Sequence, residues 1–151
     1  MKVLKKIALV LLIVFAGIQF IATSYNQSEG VLETDFFKTF DAPRDIQNLF
    51  ETSCYDCHSN NTKYPWYNKI QPLSWILEGH IKEGKEELNF SEFGAYSKRK
   101  QKSKLKSMIS QIEDDEMPLL SYTIIHWKAT LSEKDKTIII NWVEQQKDIL
   151  K

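Results

Sequence analysis

Hydrophobic residues follow two different regimes along this chain. Residues 7–22, IALVLLIVFAGIQFIA, are apolar except for Gln19 and show no polar face. From residue 35 onward, apolar positions recur at three- and four-residue spacing, strand-type alternation is absent, and Gly and Pro punctuate the periodic runs. That pattern predicts helices. The first starts near Pro43 with Asp41 close to its cap, and Ile46, Leu49, Phe50, Cys54 and Cys57 form one stripe along it. A second starts at Pro72, with Leu73, Ile76, Leu77, His80, Ile81 and Gly84 on its inner face. A third covers residues 97–112, with Leu105, Met108, Ile109 and Ile112 inward. The last begins at Ser132, where Asp135 makes an imperfect capping box, and carries Ile138, Ile139, Trp142 and Val143. These helices are separated by long, aromatic-rich loops, an arrangement better suited to wrapping a large group than to a free-standing bundle. The expected fold is all-α.

The apolar N-terminus follows Lys2, Lys5 and Lys6. Counted from Val3 it reaches about the 20 residues that a bilayer requires, with lysines able to snorkel at one end. A cleaved signal would need a small-x-small site, and ATS at residues 22–24 is a poor one. The reading is therefore a single-pass anchor over residues 1–22 in the cytoplasmic membrane. Its lysines stay inside, and everything after Ala22 is exported to the periplasmic side. Residues 23–34, TSYNQSEGVLET, read as a polar tether, and residues 35–151 as one domain. Lys+Arg and Asp+Glu both number 20, so no global field selects nucleic acid as a partner.

Export changes the meaning of the chain's two cysteines, which lie in ETSCYDCHSNN. A free vicinal pair would be oxidised there. Structural zinc needs four ligands, and no second Cys pair or close His pair exists. Thioredoxin chemistry needs a preceding strand. A plain disulfide closing so short a loop would add little and leaves His58 unexplained. Covalent haem accounts for all three residues. Spacing of three on a helix puts Cys54 and Cys57 on one side to meet the two vinyl groups, and His58 follows as proximal iron ligand. C-x-x-C-H is the attachment signature of haem c, here one per chain.

For the far side of the iron, Met117 in DDEMPLL is the favoured ligand. A residue before Pro is driven out of the helical region, which presents the thioether from a loop. Met108, on a helix face, reads as core. His80 and His126 are weaker ligand candidates, better suited to bonding a haem propionate, or in His126 also to bracing a loop. Met/His ligation would raise the reduction potential, whereas an open sixth site would suit ligand binding or catalysis. Trp66, Trp75, Trp127, Tyr64, Tyr67 and Tyr122 are expected in the core or the wall of the haem pocket.

With these motifs in hand, the chain resembles the small membrane-anchored bacterial haem-binding domain family, related to c-type cytochromes. The resemblance is carried by the N-terminal apolar segment, by CYDCHSNNTKYPWYNKIQPLSW from Cys54, by GHIKEGKEELNFSEF ending at Phe93, and by EMPLLSYTIIHWKATLSEKDK from Glu116. It implies a cytochrome c-like helical domain with covalent haem on Cys54 and Cys57, iron held by His58, and Met117 as distal ligand. It does not supply a reaction. No acid–base or nucleophile cluster accompanies the motif, so the expected role is single-electron transfer to a partner protein rather than enzymatic catalysis. The alternatives are a sensor or ligand-binding module with a labile sixth site and peroxidase-type catalysis, which needs an open iron with His80 or His126 as distal acid or base. The basic run SKRKQKSKLK reads as a solvated helix face, or else as a docking patch for an acidic redox partner or anionic lipid.

Overall fold

The computed structural model describes residues 1–150, and every regular element among them is helical. The order is α1 (Lys2–Ile18), α2 (Phe36–Thr39), α3 (Arg44–Ser53), α4 (Tyr55–His58), α5 (Leu73–Glu87), α6 (Lys98–Glu113), α7 (Leu120–Thr123) and α8 (Glu133–Ile149). Short 3₁₀ turns cover Trp66–Lys69, Phe90–Ala95 and Trp127–Ala129. The all-α expectation and the starts of α5, α6 and α8 agree with the periodicity. Ser132 caps α8 through a complete capping box with Asp135, and the Ser97 hydroxyl caps α6 by accepting from the Lys100 amide.

The N-terminal helix is shorter than expected. α1 stops at Ile18, because the Gln19 side chain turns back to donate to Phe15 O and exchanges hydrogen bonds with the backbone N and O of Gln71. Seventeen residues rise about 25 Å, less than the ~30 Å of a hydrocarbon core. No helix among the described residues is long and apolar enough to cross a membrane. This corrects the transmembrane helix expected over residues 1–22. α1 buries none of its residues, and residues 9–14 all keep more than half of their surface exposed.

Residues 23–34 lie along the domain rather than hanging from it. Asn26 donates to Ser59 O and Thr62 Oγ1, its backbone N donates to Tyr64 Oη, and its carbonyl accepts from the Thr62 amide. Ser28 and Asn61 exchange two hydrogen bonds, and Thr34 bonds Ser91 O and Gly94 N. A polar composition that reads as a linker here supplies the donors and acceptors of a strap.

The core is built around Phe36, which is fully buried and packs against Phe40, Phe50, Phe90, Phe93 and Trp142 at centroid distances of 4.9–5.7 Å. Such offset and edge-on pairs add to the burial of their own surface. α6 and α8 pack together beside this cluster through Leu105, Ile109, Ile112, Ile139 and Val143. A smaller cluster, Tyr67, Leu77 and Ile81, sits under α5. Between the two lies α4.

Candidate functional site

The C-x-x-C-H stretch is not a continuation of α3. The helix ends at Ser53, and Cys54 leaves helical geometry (φ −129°, ψ −44°) before α4 begins. The expectation that both cysteines extend one helical stripe is corrected to a break at Cys54, which leaves only Cys57 on a helix, the short α4. The break is bridged by backbone bonds, since the amides of Cys57 and His58 both donate to Cys54 O. α4 is pinned to α5 by an unusually close approach. A Cβ on Gly84 would lie 2.8 Å from Cys57 O and 3.3 Å from Cys57 Cβ, so only glycine lets the two backbones meet here.

Asp56, inside the motif, organises the loop after it. Its side chain accepts from the Lys63 amide and from Tyr122 Oη (2.8 Å), and its carbonyl accepts from Thr62 Oγ1. Burial and the Asp56 carboxylate push the Tyr122 phenol above its ordinary range. The His58 Nδ1 lies 3.0 Å from Leu88 O. As donor, Nδ1 fixes the tautomer in which Nε2 is left free to ligate a metal. Burial holds the His58 imidazole below its usual pKa and therefore neutral, as a ligand requires. Burial also pushes the thiols up, Cys54 to about 12 and Cys57 to about 11. Both stay protonated at neutral pH.

Two adjoining cavities of about 290 and 300 Å³ share Ser53, Cys54, His58, Glu87, Met117 and Pro118 as walls. They form one cleft. Cys57 faces the second, together with Leu73, Ile76, Leu77, His80 and Tyr67. Met117, fifty-nine residues after His58 in sequence, is brought there by the turn that follows α6, where the amides of Glu116 and Met117 both donate to Gln111 O.

The other expectations divide. His80 lines the cleft. His126 does not: its Nε2 is 2.6 Å from Tyr67 Oη and its ring stacks on Tyr122 at 4.3 Å, so it braces the wall from behind. Tyr67 and Tyr122 are wall residues, but Trp66 and Trp127 point into solvent at 76% and 72% exposure. Met108, expected as core, packs against the core and also reaches the first cavity. The periodicity missed Glu83, Glu87 and Lys104 as cleft residues. Lys104 carries a signal in hindsight, because it precedes Met108 by four positions and so shares its helical face.

The cleft can be tested for haem on its own terms. Leu73 and Ile76 lie on the apolar stripe of α5, yet they are 42% and 54% exposed, and both open into the cleft. The protein itself leaves this apolar wall uncovered. Two protonated thiols and a neutral imidazole line the same cleft, with the Met117 thioether on the wall that both cavities share. These are the groups that a flat, largely apolar macrocycle with an iron centre would use, and the residues fit it.

A small helical domain with such a cleft belongs to the class of haem-binding modules. Residues 13–145 match the family described as the haem-binding domain, and the chain belongs to that family. It is also 26% identical over 102 residues to the cytochrome c peroxidase Ccp of Escherichia coli (strain K12), a match that covers 66% of this chain and 22% of that protein. The chain therefore corresponds to less than a quarter of that relative's length. No solved structure matches it.

Proposed function

We propose that the domain carries one covalent haem c and passes single electrons. Cys54 and Cys57 hold the haem as thioethers, His58 ligates the iron through Nε2, and Met117 supplies the distal thioether. The observation that supports this reading most directly is the convergence of Cys54, His58 and Met117 on one cleft, with Cys57 beside them. Bound there, the haem supplies a reversible one-electron couple whose potential depends on the axial ligands and on solvent exclusion. The chain's own residues orient and insulate it. Leu88 O sets the His58 ring, Gly84 seats the motif against α5, and Leu73, Ile76 and Leu77 exclude water.

The haem-binding unit in this reading spans residues 35–151, with residues 23–34 strapped across it and the N-terminal segment attaching it to the outer face of the cytoplasmic membrane. The lysines in the first turns of α1, Lys2, Lys5 and Lys6, and its bare apolar surface support that attachment. The electron partner is a protein reached by a transient encounter.

A second reading is a ligand-sensing module with a labile sixth site. It is favoured by Met108, a second thioether lining the first cavity. The absorption spectrum separates them. Met–Fe(III) ligation gives a weak band at the red end of the visible range, which Met117→Ala abolishes. A high-spin wild-type spectrum with ready CO binding would select the sensor.

A further inference from the structure

The basic run on α6 is not uniform. Lys98, Arg99, Lys100, Lys102 and Lys106 are exposed, as a solvated face should be. Lys104 is not. Its side chain is 24% exposed, and it lines the first cavity together with Ser107, Met108 and Gln111. These positions, i, i+3, i+4 and i+7, form one helical face, so α6 turns an ammonium, a hydroxyl and an amide toward the first cavity. Neither the Ser107 hydroxyl nor the Gln111 amide has a protein partner among the described residues.

The charges around the cleft single out Lys104. Among the described residues that wall the two cavities, the acidic ones are Glu83 and Glu87 and the only ammonium is Lys104. Its Nζ is 3.2 Å from Glu87 Oε2. The pair is lopsided, because the Glu87 side chain is 82% exposed. A carboxylate so well solvated gains little from the pair and can return to water at small cost. The ammonium, held in the wall, is a standing site for a different anion.

Haem is apolar across its face but carries two propionate carboxylates at one edge. We infer that Lys104 receives one of these carboxylates, exchanging Glu87 for it, with Ser107 and Gln111 as further donors along the same face of α6. The assignment rests on haem occupying the cleft against His58. It gives the one inward cation of the basic run a role in orienting the macrocycle, and leaves the outward lysines free for other contacts.

The test uses the full chain with Cys54→Ala and Cys57→Ala, so that haem binds reversibly, and compares haemin with its dimethyl ester, in which the propionates are masked. Lys104→Gln is expected to weaken haemin binding about tenfold, as for loss of a charged hydrogen bond, and to leave the ester unaffected. Lys104→Arg restores haemin binding. Equal losses for both ligands, or no loss for either, overturn the assignment. Binding that is indifferent to His58→Ala overturns the seat itself and Lys104 with it, whereas His58-dependent but Lys104-independent binding overturns only the role of Lys104. In the covalent holoprotein, removing the cation in Lys104→Gln lowers the midpoint potential and Glu87→Gln raises it. Unchanged potentials in both count against the proposal.

Discussion

Gly84→Ala puts one methyl group where α5 meets the C-x-x-C-H turn. The new Cβ would sit 2.8 Å from Cys57 O, 3.2 Å from Cys57 C and 3.3 Å from Cys57 Cβ. Two of these atoms are backbone and the third is fixed to it, so no flexible side chain can yield. Either α5 or the turn must move. Overpacking of this kind costs about 1–3 kcal/mol, against which alanine returns up to ~1 kcal/mol of helix propensity. A net loss of about 1–2 kcal/mol is expected, measured as a lower denaturant midpoint with an unchanged slope. The displacement also shifts Cys57 and His58 relative to the cleft, so the fraction of chains carrying covalent haem should fall. Gly79 is the internal control. It lies on the same helix, a Cβ there meets nothing within 4 Å, and Gly79→Ala should gain about 0.5–1 kcal/mol. If Gly84→Ala stabilises the domain as much as Gly79→Ala and loads haem normally, the close approach does not position the motif.

Other perturbations read separate parts of the fold. Tyr122→Phe removes the hydrogen bond to Asp56 and should cost about 1 kcal/mol, with a larger loss of protection in backbone amide exchange at Lys63 than elsewhere. Ser132→Ala dismantles the capping box of α8 and should cost about 1 kcal/mol in equilibrium unfolding, leaving the haem spectrum unchanged because no residue of α8 lines either cavity. Asp35 is buried, and burial raises its pKa despite hydrogen bonds from Phe37 N and Tyr55 Oη. A raised carboxyl pKa means that the folded state binds the proton more tightly, so the stabilising contribution is present below about 3.8 and is lost as pH rises through the folded value. Asp35→Asn keeps the cap and the acceptor without the charge. It should be more stable than wild type at pH 7, and the difference should shrink as the pH falls through the raised folded value towards 3.8 and stay flat below it.

The helices with strong periodicity were legible because burial on one face is what creates the pattern. α5, α6 and α8 start where Pro72, Ser97 and Ser132 predict them. The break at Cys54 was not legible, since Ile46, Leu49, Phe50, Cys54 and Cys57 continue a helical spacing through it and only tertiary contact with α5 reveals the turn. α2 escaped notice because four residues carry no period, and it depends on Asp35 as its cap. The strap over residues 23–34 was hidden for a related reason: a polar segment reads as solvated unless its partners are known, and here they lie thirty or more residues away. The end of α1 was set by one side chain, Gln19, whose bonding to Gln71 cannot be inferred from hydropathy. At the cleft, residue type identified Cys54, Cys57, His58 and Met117. Lys104 was masked by its basic neighbours, and His126 drew attention as a histidine although its ring faces Tyr67 and Tyr122.

The central claim is covalent attachment of haem through Cys54 and Cys57. The full chain, expressed in a host with a haem c maturation system and purified under denaturing conditions, should have an intact mass equal to the polypeptide plus one haem. Cys54→Ala combined with Cys57→Ala should reduce that mass to the polypeptide alone. A wild-type chain that emerges without haem, its two thiols still titratable, would contradict the account.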